Sequence, residues 1–139
     1  MSRVASLIIT FWAGSLWTVC GLVAPTLFAV LDDRQVAGQL AATFFRAETI
    51  IGVAAGVVLV ALSIAGKLSL AGWLGKTLIA VTAGAPLFSQ VVLGPYMERA
   101  RAAGDMARFG ALHGVAALFF VIACLSALLL VWRFHRPAE

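Results

Sequence analysis

The chain has 139 residues, of which 63% are hydrophobic and only 12% are charged. This apolar share is far above that of a soluble globular domain, so the composition excludes a soluble fold and indicates an integral membrane protein. The formal net charge is +4, but the basic residues stand at the ends of the apolar runs, where they anchor helices to lipid headgroups. We therefore exclude a nucleic-acid partner and take the lipid bilayer as the expected one.

Four apolar runs follow one another, and each is long enough to cross a hydrocarbon core about 30 Å thick as a helix. We predict one transmembrane domain, 1–139, with spans over about 4–31, 46–66, 71–97 and 107–132. Lipid offers no partner for backbone polar groups, so these runs are expected to be helices. The predicted fold class is all-α: an integral membrane four-helix bundle.

The first run starts after Arg3 like a secretory signal peptide, but it is longer than a normal apolar region and carries Pro25 where a cleavage site would stand. We expect it to be retained as a membrane helix. Basic residues divide evenly between the two faces, so the positive-inside rule does not decide the orientation. The free amino terminus leads us to expect both termini in the cytoplasm.

Polar residues mark where the loops end and the helices begin. Asp32 or Asp33 is placed to cap the second helix, and Asp105 is placed to cap the fourth. Apolar residues recur at helical spacing from Val36 to Phe44. We expect this segment to lie along the membrane surface before the chain turns into the second span.

The two halves of the chain have similar residues at corresponding positions. The first and third runs end at an Ala-Pro and a Gly-Pro pair, at Pro25 and Pro95. In the second and fourth runs, a phenylalanine stands four residues before Glu48 and before His113. One interpretation is two tandem hairpins related by a pseudo-twofold axis along the membrane normal, with Glu48 and His113 at one depth. The alternative is that any two hydrophobic hairpins align this well.

Glu48, Gln90 and His113 are the candidate ligand- or cation-binding residues, because each falls about one turn inside the same membrane face. An ionisable group in hydrocarbon is costly unless it faces a partner, water or a substrate. Gly52 and Gly56 follow Glu48 on one stripe of the helix. Such small residues let another helix approach closely, so we expect Glu48 to point into the bundle.

Other residues are expected to shape the bundle. Gly110 and Gly114 match the same small-residue packing pattern around His113, and glycine-lined faces favour a homo-oligomer. Pro25 and Pro86 are expected to kink their helices. Buried Cys20 and Cys124 lack the spacing of a metal site, so core packing is favoured over redox or soft-metal chemistry.

The polar layer has two interpretations. Glu48 and His113 together can share a proton, pair as ions or hold a cation such as zinc, although a metal needs further ligands from Gln90, water or a second subunit. The alternative is a hydrogen bond worth about 1 kcal/mol that only fixes two helices. A metal ion or haem stays an open possibility as a cofactor, with none expected. No nucleophile with an adjacent base is evident, so an enzyme is not expected.

Short segments along nearly the whole chain resemble bacterial members of the transmembrane protein 205-like family. They read WAGSLW at 12–17, VAPTLF at 23–28, AG at 37–38, FF at 44–45 and LH at 112–113. The resemblance implies a four-helix protein of the bacterial inner membrane, a link to the handling of toxic metal compounds, and no agreed activity. The copper resistance D family is more distantly similar, but this chain lacks its several intramembrane histidines.

Two functions follow from the sequence. The first is a small membrane protein that binds or transports a cation, proton or small ligand at the polar layer. The second is a non-catalytic structural or accessory subunit, in which that layer only fixes helix packing.

Overall fold

The structure, a computed structural model, describes residues 3–66 and 72–135. Four helices in this part of the chain are long and apolar enough to cross a membrane. We call them the first span (Arg3–Val30), the second span (Arg34–Ile64), the third span (Gly72–Ala102) and the fourth span, whose helix runs over Met106–His135. The described residues contain no strand, so the predicted all-α membrane bundle is confirmed.

The first and third spans are each interrupted by one π-helical segment. In the first span, Val19–Val23 separates the α-helices Arg3–Thr18 and Ala24–Val30. In the third span, Ser89–Leu93 separates Gly72–Phe88 from Gly94–Ala102. A π segment accommodates one extra residue in its turn and shifts the register of everything before it.

A proline accounts for the position of each π segment. The ring of a helical proline clashes with the carbonyl four residues earlier, and proline has no N–H to donate. Pro25 and Pro95 each lie in the first turn after a π segment. Immediately before them, Ala24 N–H bonds to Val19 O and Gly94 N–H bonds to Ser89 O, which is the wider i to i−5 pattern. Pro86 lies inside the preceding α-helix of the third span.

The burial pattern of the first span recurs in the third span 70 positions later. The paired buried positions are Ala5 and Gly75, Ile9 and Ile79, Trp12 and Thr82, Leu16 and Pro86, and Val19 and Ser89. Together with the two π segments, this recurrence supports the interpretation of the chain as two related hairpins. The similarity lies in burial and backbone, since few of the paired residues are identical.

Aspartates cap the second and fourth spans. Asp33 Oδ1 accepts from the backbone N–H of Gln35 at 2.7 Å and of Val36 at 3.2 Å, and Asp105 Oδ1 accepts from Arg108 N–H at 3.0 Å. Such a bond satisfies one of the N–H groups that a helix start leaves free.

The prediction that the segment from Val36 to Phe44 forms a separate surface segment before the second span is wrong. The helix runs unbroken from Arg34, and its first turns pack on the end of the first span, with Ala37 and Ala41 buried. No proline or turn sequence interrupts it. At about 1.5 Å per residue the helix is about 46 Å long, which exceeds the hydrocarbon core.

The core lies where the first span packs against the second and fourth spans, and where the third span packs against the same two. Trp12 is 1% exposed and fills the space beside Gly52. A Cβ at Gly52 would lie 2.9 Å from Trp12 Nε1, and one at Gly56 would lie 3.3 Å from the Cβ of Ala83. These two glycines therefore stand at close helix contacts.

The glycines of the fourth span, unlike Gly52 and Gly56, do not lie at close helix contacts. At Gly110 and Gly114, no other described atom lies within 4 Å of an added Cβ. Within one chain, they face open space.

Candidate functional site

Glu48 is buried within the second span and faces the first. Its side chain is 3% exposed, and its Oε1 accepts a hydrogen bond from Ser15 Oγ at 3.0 Å. Ser15 Oγ also lies 2.9 Å from the backbone carbonyl of Trp12. A hydroxyl has one proton to donate, so Ser15 must divide it between two acceptors when Glu48 is ionised. A protonated Glu48 can instead donate to Ser15, which leaves the Ser15 proton for Trp12.

A groove of about 450 Å³ lies between the first and second spans at this point. Its lining residues are Phe11, Gly14, Ser15, Thr18, Val19, Phe44, Ala47, Glu48 and Ile51. Phe11 and Phe44 are 69% and 43% exposed on the outer surface of the bundle, whereas Glu48 is buried. The groove therefore has an apolar rim on the lipid-facing side and a carboxyl group at its inner end.

Gly14 keeps the wall of the groove open. An added Cβ at this position would have no other described atom within 4 Å. Thr18, one turn further along, turns its hydroxyl to its own helix and donates to Gly14 O at 2.8 Å. The polar groups left to face the groove are thus those of Ser15 and Glu48.

The structure pairs Glu48 with Ser15, not with the two residues expected from the sequence. Gln90 is half-buried in the π segment of the third span. His113 is exposed and stacks on Phe109, with ring centroids 5.9 Å apart. Among the described residues, no hydrogen bond or ion pair joins Glu48 to Gln90 or His113.

The helix caps explain why Glu48 and His113 do not correspond. Glu48 stands 15 residues after its cap, Asp33, whereas His113 stands only 8 residues after Asp105. The difference is about two helical turns. Aligning the caps places Phe120 opposite Glu48, and Phe120 is buried against Phe45 with ring centroids 4.6 Å apart. In this alignment, the position that holds the Glu48 carboxyl in the first hairpin holds the Phe120 ring in the second.

The described residues include no group of three or more His, Cys, Asp or Glu side chains placed to hold a metal ion.

Sequence reasoning missed Ser15, although it lies in the WAGSLW segment. A lone serine in an apolar run costs little to bury and forms no spacing pattern. The sequence feature that could have indicated Ser15 is its place beside Gly14, since these two small residues interrupt a stretch of large apolar residues.

The comparison with known proteins gives a family but no activity. A family model described as "Domain of unknown function (DUF4149)" matches residues 7–106. No curated protein and no solved structure matches the chain. The resemblance to the transmembrane protein 205-like and copper resistance D families is not confirmed. The match covers more than half of the chain, from the first span to the start of the fourth. The protein thus belongs to the DUF4149 family, and it carries four helices that can span a membrane in the part of the chain that the structure describes.

Proposed function

We propose that this protein binds a small lipophilic cation that enters the groove between the first and second spans from the bilayer. Glu48 holds the positive charge and the groove rim holds the apolar body. The observation that carries the proposal is the placement of a buried carboxyl group at the inner end of a groove with a lipid-facing rim.

The charge argument starts from the cost of a carboxyl group in hydrocarbon. Ionisable groups inside membranes face one another, water or a ligand. Among the nine residues that line the groove, Glu48 is the ionisable one, and its protein partner is a hydroxyl that also contacts the Trp12 carbonyl. An ionised carboxylate has about four acceptor positions. With one bond from Ser15, an ionised Glu48 thus keeps acceptor positions that a cationic partner can use.

The rim suits an apolar or aromatic body. Phe11 and Phe44 stand at opposite walls, one on each helix, and aromatic faces attract a desolvated cation by cation–π interaction. The groove volume of about 450 Å³ falls within the range of small-molecule sites, roughly 300–1,000 Å³.

The test uses two probes of the same shape and opposite charge, tetraphenylphosphonium and tetraphenylborate. Binding is measured by equilibrium dialysis against protein in lipid nanodiscs, with empty nanodiscs subtracted. We expect saturable binding of the phosphonium, at least tenfold weaker in Glu48→Gln, and no saturable binding of the borate. Glu98→Gln, which changes an exposed carboxylate outside the groove, is the matched control and should bind like the wild type. Equal phosphonium binding by Glu48→Gln and wild type would reject the proposal.

The second candidate is an accessory membrane subunit in which the polar pair only fixes helix packing. The Ser15–Glu48 bond and the tight Trp12–Gly52 contact favour it. In that case neither probe binds saturably, and substitutions at Glu48 affect only stability. Transport would need a path through the membrane, which we expect only in an assembly of two or more copies.

A further inference from the structure

A second groove, with a volume of about 880 Å³, lies between the second and third spans. At its base the two helices are in close contact, since a Cβ at Gly56 would lie 3.3 Å from the Cβ of Ala83. Its rim is apolar and faces outward, because Val57 and Leu87 are 63% and 41% exposed. Gly84 leaves the wall on the third span open, since an added Cβ there would have no other described atom within 4 Å.

The second groove is about as long as one leaflet of a bilayer is thick. Its described lining residues lie within 53–64 of the second span and 76–87 of the third. At about 1.5 Å per residue, each stretch covers roughly 16 Å, or about half of a hydrocarbon core of about 30 Å. An acyl chain of one leaflet covers the same depth. A helix that crosses the whole membrane would extend well past the groove.

One end of the second groove carries a positive charge. Lys76 lies near the start of the third span, at the end of the groove that Ser63 and Ile64 also line. Its side chain is exposed, and it is the ionisable residue among the described lining residues. A lysine near the end of a membrane helix holds its charge at the level of the lipid headgroups. Trp73 is 76% exposed at the same helix start, and tryptophan is enriched at that level.

We propose that the second groove binds one anionic phospholipid, with an acyl chain along the groove and the headgroup phosphate at Lys76. A second copy of this chain fits the groove less well. In a twofold interface the same surface meets itself, so two Lys76 side chains would come together with no carboxylate among the described lining residues to neutralise them. An anionic headgroup supplies the opposite charge, and an acyl chain matches the apolar wall and the length.

This site differs from the proposed cation groove in its place and its charge. The cation groove lies between the first and second spans and has Glu48 at its inner end, and none of its described lining residues also lines the second groove. Failure of cation binding therefore leaves this inference standing, and the reverse also holds.

The experiment places the protein in phosphatidylcholine nanodiscs that contain a trace of a photoreactive lipid. Two matched probes are compared, phosphatidylglycerol and phosphatidylcholine with the same acyl chains and a diazirine at the middle of one chain. After illumination, the adducts are mapped by peptide mass spectrometry. We expect adducts within 53–64 and 76–87. They should be about fivefold more abundant with the anionic probe, the usual effect of one basic residue near a membrane surface.

Four variants test the two contacts of the lipid. Lys76→Gln should remove the preference for the anionic probe, whereas Arg3→Gln, which changes an exposed basic residue outside the groove, should keep it. Gly84→Leu should lower the groove adducts of both probes, because the new side chain enters the open wall. Gly14→Leu, which fills the cation groove instead, should leave these adducts unchanged.

Three results would overturn the proposal. Equal labelling of the wild type by both probes would mean that the groove holds only passing bilayer lipid. An unchanged preference in Lys76→Gln would mean that the headgroup is held elsewhere, and because Lys76 is exposed, this variant does not depend on repacking of the core. A lack of groove adducts with either probe would mean that a second copy of the chain covers the groove.

Discussion

At the residue scale, Ser15 determines what Glu48 can do. Its hydroxyl stands between Glu48 Oε1 and the Trp12 carbonyl, at 3.0 and 2.9 Å. The pair therefore has two hydrogen-bond arrangements that differ by the presence of a proton on Glu48. A ligand cation favours the ionised arrangement, because a charged carboxylate attracts it. Cation binding and proton release at Glu48 are thus coupled in this account.

Removal of the Ser15 hydroxyl should weaken the contact between the first two spans. We expect Ser15→Ala to lower the free energy of unfolding by about 1 kcal/mol, the usual value of an interhelical hydrogen bond in a membrane protein. The measurement is reversible unfolding in mixed micelles at increasing SDS. Ser63→Ala, which changes a half-buried serine near the end of the second span and outside the groove beside Glu48, is the control. Equal stability of Ser15→Ala and wild type would show that the bond does not stabilise the fold.

At the element scale, the first two spans meet through a large residue on one helix and a glycine on the other. Trp12 is 1% exposed and lies directly over Gly52. Ile9 and Leu16 on the same face of the first span are also buried. This contact sets the distance between the helices, and with it the width of the groove beside Glu48.

The Gly52→Ala substitution should therefore destabilise the bundle. Its new Cβ would lie 2.9 Å from Trp12 Nε1 and 3.3 and 3.4 Å from two ring carbons. Overpacking of this kind typically costs about 1–3 kcal/mol. In the same unfolding assay, Gly110→Ala is the control, since its Cβ meets nothing within 4 Å and alanine favours a helix over glycine. If Gly52→Ala unfolds at the same SDS fraction as wild type, the added Cβ is accommodated, and the Trp12–Gly52 contact does not limit the distance between the helices.

Sequence patterns predicted some elements and missed others, for physical reasons. Hydropathy located four spans because membrane helices must be apolar over about 20 residues. The glycines after Glu48 correctly indicated a buried carboxyl. The spacing from phenylalanine to polar residue suggested His113 as the partner of Glu48, whereas the hydrogen bond in the structure comes from Ser15. This spacing does not register where each helix begins, which the aspartate caps do. The π segments were missed because the prolines that follow them are equally typical of helix ends.

At the whole-molecule scale, the spans form two hairpins of similar backbone that differ in the residues at their equivalent positions. The first hairpin carries the buried carboxyl and the lipid-facing groove beside it. At the cap-aligned position of the second hairpin, Phe120 packs into the core against Phe45. The polar site is therefore asymmetric within one chain.

We propose that Glu48 can be reached from the lipid through its groove and holds a cation there. This is tested by labelling with dicyclohexylcarbodiimide, a lipid-soluble reagent that adds to protonated carboxyl groups, followed by peptide mass mapping with and without tetraphenylphosphonium. We expect an adduct on Glu48 that the phosphonium suppresses, while a water-soluble carbodiimide modifies exposed carboxylates such as Glu98 instead. An unlabelled Glu48, or labelling that the phosphonium leaves unchanged, would show that no cation is held there.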